Sequence, residues 1–86
     1  MIKIYTLSTC PYCNKLKTLL EEANFEYDEI NGDLPENDDK FRALSKITNS
    51  LNVPTIIVGK NILVPEVSFI KIEEGFELVK RLLDKD

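Results

Sequence analysis

The sequence predicts an α/β domain in which a four-stranded mixed sheet is flanked by three helices, in the order β-α-β-α-β-β-α. Three observations predict it. A short β-prone run at residues 2–7 passes directly into helical spacing, with the chain's only two cysteines at the junction. A second alternating run, residues 25–30, follows that helix as a crossover unit requires. Residues 55–64 then read as two strands around a Gly-Lys-Asn turn, with a further helical pattern on either side.

Ile2, Ile4, Tyr5 and Leu7 make the first strand apolar on both alternating sets, apart from Lys3 and Thr6, as expected of a strand covered on both faces. Ser8 and Thr9 form the turn. Leu16, Leu19, Leu20 and Ala23 recur at helical spacing behind the cysteines, and Asn24 is the candidate left-handed stop. Phe25, Tyr27 and Glu29 fall on one side of the second strand and Glu26, Asp28 and Ile30 on the other. The turn-rich segment 31–35 is too long for a hairpin, so this strand is expected to lie parallel to the first, joined by a right-handed crossover.

The second helix is expected over residues 36–48, with Phe41, Leu44 and Thr48, continued by Leu51, as its inner face. Asn37, Asp38 and Asp39 suit its first turn as caps and acidic groups, and Asn49 its end. Pro54 opens a strand at 55–58, and residues 62–64 return as the last strand, ended by Pro65. Phe69, Ile72, Phe76, Val79 and Leu83 mark one face of the final helix, which Gly75 is expected to bend or split. Lys80, Arg81 and Lys85 complement the dipole at its end.

Eighty-six residues form one small domain spanning 1–86, and 43% hydrophobic with 30% charged residues is ordinary for a globular protein. A net charge of −4 without clustered Lys and Arg excludes a nucleic-acid-binding face. No leader pattern or membrane-length apolar run is visible, so the expectation is a cytoplasmic monomer with no membrane partner.

The chemistry lies in Cys10-Pro11-Tyr12-Cys13. A strand that ends just before Cys10 hands the chain to a helix whose free N–H groups and dipole favour thiolate at the first sulfur. Pro11 suits the first helical turn, where its missing N–H has no partner to lose. At i and i+3 the two sulfurs are neighbours and can form a short, reversible disulfide. Half a zinc site is the competing reading, but the chain has no histidine and no third cysteine, so no metal is expected. A structural disulfide competes less well, since a link across two residues constrains little of the unfolded chain.

This layout, with CPYC after the first strand and Val53-Pro54 entering the third, resembles a dithiol glutaredoxin in the thioredoxin fold. The resemblance runs over nearly the whole chain. It implies a thiol–disulfide oxidoreductase with Cys10 as nucleophile and Cys13 as buried resolving thiol. It implies Tyr12, Val53, Pro54, Pro65 and Glu66 as substrate-binding residues, with a cis bond before Pro54. It also implies disulfide-containing protein substrates, glutathione as co-substrate and no bound cofactor. Three departures open an alternative. Leu63-Val64-Pro65-Glu66-Val67 stands where the family carries a Gly-Gly pair whose backbone amides hold glutathione, Leu7 replaces a lysine, and Asn52 replaces a threonine. Arg42 and Lys46 are not assigned that missing charge. The alternative is a glutaredoxin-like redoxin reduced by thioredoxin reductase and serving ribonucleotide reductase, with Leu63, Val64 and Pro65 as an apolar docking lip beside Cys10. A non-catalytic redox sensor or binding module of the same fold ranks third.

Overall fold

The computed structural model describes residues 2–49 and 52–84. Strand β1 (Ile2–Thr6) lies at the centre of a four-stranded sheet of order β2-β1-β3-β4. It pairs parallel with β2 (Tyr27–Asn31) and antiparallel with β3 (Thr55–Val58), which in turn pairs antiparallel with β4 (Asn61–Leu63). Two antiparallel steps make β4 run the same way as β1. The C-terminal ends of β1 and β4 therefore lie at the same end of the sheet, with the start of β3 between them.

Helix α1 (Pro11–Glu22) carries Leu16 and Leu20 fully buried against Ile2, Ile4 and Ile56. Each such leucine is worth about 1.5–3 kcal/mol relative to exposure. Helix α3 (Ile72–Asp84) packs on the same face through Ile72 and Val79. The opposite face of the sheet presents Tyr5 and Ile30 to Leu44 of α2 (Asp38–Thr48), with the Tyr5 and Phe41 rings edge to face at 5.2 Å. Asn24 and Asn49 end α1 and α2 in the left-handed conformation, with φ of 62° and 55°.

Five local expectations change. Strand β2 starts at Tyr27, because Phe25 leaves the sheet to pack on Phe76 of α3, ring centroids 6.2 Å apart. The second helix begins with a separate 3₁₀ turn, Pro35–Asn37, and Asn37 does not cap it: the buried Asn37 amide donates to the carbonyl of Asn31 at 2.9 Å instead. Strand β4 is shifted one residue towards the turn, leaving Gly59 (φ 61°) and Lys60 as a two-residue connection. Phe69 precedes α3 yet belongs to the core, 5% exposed. Gly75 does not split α3, and its role is spatial: a Cβ there would stand 3.1 Å from the Phe69 ring, which packs over it. Leu51 and Lys85 lie outside the described residues.

Candidate active site

Strand β1 gives way to α1 through Ser8 and Thr9, and two sets of bonds hold that turn. The Cys10 N–H donates to the Leu7 carbonyl at 3.1 Å. From the segment after β2, Asn31 donates to the Ser8 hydroxyl at 3.0 Å, and the Ser8 N–H donates to the Asp33 carboxylate at 2.8 Å. Hydrogen bonds from Ser8 keep the Asp33 carboxyl below its ordinary range. Between them, the Gly32 N–H donates to the Thr6 carbonyl at 2.8 Å, and a Cβ at Gly32 would stand 2.9 Å from both Leu7 and Phe41. Asn31, Gly32 and Asp33 read in the sequence only as turn formers; here they brace the cysteine loop.

Cys10 is the N-cap of α1, in extended conformation, and Pro11 opens the helix. The Cys13 N–H donates to Cys10 Sγ at 3.1 Å. A sulfur in that position takes the place of a capping oxygen. Cys13 lies one turn further in and is fully buried, whereas Cys10 is partly exposed; both are free thiols. Burial pushes the Cys13 thiol up to about 12, aided by its hydrogen bond to Cys10, while the Leu7 backbone and Lys17 act in the opposite direction.

A groove of about 700 Å³ lies beside this helix end, with Tyr12 and Lys15 of α1 on one side and Val53, Pro54, Pro65 and Ile70 among the residues facing them. The Val53–Pro54 bond is cis. Glu66, at φ 69°, also lines the groove, so all five residues expected to bind substrate are brought together. The expected lip is not formed as expected. Leu63 and Val64 are 8% and 7% exposed and belong to the interior: Leu63, the last residue of β4, packs in the core cluster with Ile56 and Val58, and Val64 is buried just after it. The apolar rim consists instead of Pro65 with Tyr12 and Ile70, the last two 64% and 82% exposed. Lys15, Ile70, Lys71 and Glu73 join the groove without a sequence signal, since nothing in the pattern shows that the start of α3 lies opposite α1. Arg42 pairs with Asp39 at 3.6 Å on the α2 surface.

The backbone after β4 is closed on itself. Val64 N–H donates to the Ser68 hydroxyl and Glu66 N–H to the Phe69 carbonyl. The N–H groups of Val67 and Ser68 both reach the Val64 carbonyl, and those of Ile70 and Lys71 reach one oxygen of Glu74 at 3.1 and 2.8 Å. Pro65 has no N–H to offer.

A family model described as Glutaredoxin matches residues 2–63. The chain belongs to the glutaredoxin family. This glutaredoxin is 40% identical over 57 residues to glutaredoxin 1 of Rickettsia felis, covering 66% of this chain and 56% of that protein. It thus spans just over half the length of the Rickettsia relatives it matches. It is 39% identical over 66 residues to an uncharacterized glutaredoxin-like 8.6 kDa protein in the rubredoxin operon of Clostridium pasteurianum, covering 74% of this chain and 83% of that one. Among solved structures, a buckwheat glutaredoxin–glutathione complex superposes with a TM-score of 0.74 at 22% identity, covering 98% of this chain and 76% of that one. At that identity the likeness speaks for the fold, which is the thioredoxin-like fold the element order predicts. Among the described residues of this glutaredoxin, no cluster of His, Cys, Asp and Glu has the makings of a metal site, and no helix is long and apolar enough to cross a membrane.

Proposed function

We propose that this glutaredoxin is a thiol–disulfide oxidoreductase that reduces protein disulfides and glutathione mixed disulfides by cycling Cys10 and Cys13 between dithiol and disulfide. The observation that carries the reading is the sulfur cap: Cys10 Sγ receives a helix amide at the surface while Cys13 waits buried behind it. In the first step the Cys10 thiolate attacks one sulfur of the substrate disulfide. A Cys10–substrate bond forms, the substrate S–S bond breaks, and the departing thiolate takes a proton from water. In the second step Cys13 gives its proton to water and attacks Cys10 Sγ; the internal disulfide forms, the Cys10–substrate bond breaks, and the second substrate thiolate leaves and takes a proton from water. Substrate gains two electrons and the protein loses two.

The environment of Cys13 supports this order. Burial and the hydrogen bond to Cys10 hold Cys13 protonated in the dithiol state. Capture of Cys10 in a mixed disulfide removes its charge and leaves only the burial opposing ionisation. Tyr12, Val53, Pro54, Pro65 and Glu66 are assigned to the substrate on the strength of the shared groove. The open backbone of Val53 beside Pro54 suits pairing with an extended thiol peptide. A cytoplasmic, monomeric protein working without a bound cofactor is part of the same proposal.

One observation favours a second reading for the reductant. Between Val64 and Lys71 the amides of six residues are spent inside the chain, so little remains there to hold a carboxylate of glutathione. Reduction by thioredoxin reductase, with delivery to a protein such as ribonucleotide reductase, fits a groove with an apolar rim and a backbone closed on itself between Val64 and Lys71. NADPH consumption decides between them. Turnover with glutathione and glutathione reductase supports the first donor, and turnover only with thioredoxin reductase supports the second. A protein that forms its disulfide once but turns over with neither system is not this enzyme.

A further inference from the structure

Behind Cys13, on the face of the sheet that receives α1, a second polar cluster remains unused by the steps above. Thr6, fully buried at the end of β1, donates its hydroxyl to Glu29 of β2 at 2.6 Å. Lys17 donates to the same Glu29 oxygen at 3.1 Å, and the two side chains of this pair are only 26% and 29% exposed. Lys17 stands four residues after Cys13, one turn along the same helix face. A lysine on a helix surface ordinarily swings in water; this one, a turn beyond the buried thiol, is tied to a carboxylate that is itself anchored to the sheet.

We propose that Lys17, fixed by Glu29 and Thr6, is a positioning residue that favours the charged form of Cys13 during the second step. The need is plain. The thiol that must ionise lies in the interior, the chain has no histidine, and the Glu29 carboxylate is committed to Thr6 and Lys17. Once Cys10 is in a mixed disulfide, the Leu7 backbone and Lys17 are what still favour thiolate at Cys13. The charged and titratable groups around Lys17 are Cys13 on its own helix and Glu29 and Tyr27 on β2. Glu21 engages Tyr27, and Lys15 is turned away to Glu73 of α3 at 2.6 Å. No competing cation on these elements is directed at the sulfur.

The inference rests on the assignment of Cys13 as resolving thiol, and one experiment separates the two. An aromatic disulfide reagent that releases one coloured thiolate per exchange reports two phases in stopped flow, the first from attack by Cys10 and the second from attack by Cys13. Lys17→Met keeps the aliphatic stem, should leave the first phase unchanged, and should slow the second about threefold near neutral pH by displacing its rate–pH curve to higher pH. Lys17→Arg should restore the curve, because it restores the charge. Coincident second-phase curves for Lys17→Met and the parent protein overturn the inference, as does a curve that Lys17→Arg fails to restore. Cys13→Ser is the control: loss of its second phase upholds the resolving role, whereas a second phase that survives it overturns that role and this inference with it.

Discussion

Two strand-to-helix junctions lie at the same end of the sheet, and they use their amides in opposite ways. At the β1–α1 junction the helix amide of Cys13 is pointed at a side chain with chemistry to perform, Cys10 Sγ. At the β4–α3 connection the corresponding amides of Ile70 and Lys71 are closed off by Glu74, and Ser68 takes that of Val64. A free helix N-terminus is a ready anion site. Here one such site is devoted to a cysteine sulfur and the other is filled by the protein's own carboxylate. The difference teaches that the strand–helix geometry offers the opportunity, while single side chains decide whether a ligand can use it.

Cys10→Ser breaks the comparison most severely, because a serine oxygen still caps α1 but is no nucleophile towards sulfur at neutral pH. Disulfide reduction should fall to the uncatalysed level in the NADPH assay, with little change in thermal midpoint. Gly32→Ala attacks the brace under the same junction. The added methyl must displace Leu7 or Phe41 from 2.9 Å, and denaturant unfolding should show a loss of about 2 kcal/mol.

Thr6→Val removes the hydroxyl that anchors Glu29 and should cost about 1 kcal/mol in the same experiment. It also changes the response to acid. The Thr6 hydrogen bond, opposed by burial and aided by Lys17, holds the Glu29 carboxyl below its ordinary 4.5. A carboxyl lowered in this way adds stability that is fully present above pH 4.5 and is lost as pH falls through the folded value. Stability measured across that window should therefore decline less steeply in Thr6→Val than in the parent. Glu74→Ala sharpens the comparison from the other side by releasing the amides of Ile70 and Lys71. The KM for a glutathionylated substrate should fall about threefold if an open amide pair accepts its carboxylate; an unchanged KM would show that the closed backbone is not what limits glutathione.

Much of the site could be read from the chain because it depends on short-range spacing. Cys10 and Cys13 share one helical turn, Pro11 can begin a helix, and Gly59-Lys60 can reverse a strand. Asn24 and Asn49 end their helices with the local conformation their side chains tolerate. The misreadings have a different origin. Leu63 and Val64 look like a lip when taken as a segment, but both are buried, Leu63 at the end of β4 and Val64 just beyond it. Gly75 looks like a helix breaker until Phe69 is seen lying against it. Asn37 looks like a cap until Asn31 is seen within its reach.

By itself the sequence determined the order of elements, the redox pair and its place at a helix start, because periodicity, turn chemistry and residue spacing act over a few neighbours. Tertiary structure alone decided which amides are bonded within the chain after β4, which apolar residues line the groove, and that Lys17 is paired with Glu29, itself bonded to Thr6. Those contacts join residues far apart in the chain, and they exist only where the sheet register and helix packing bring the partners within hydrogen-bonding distance.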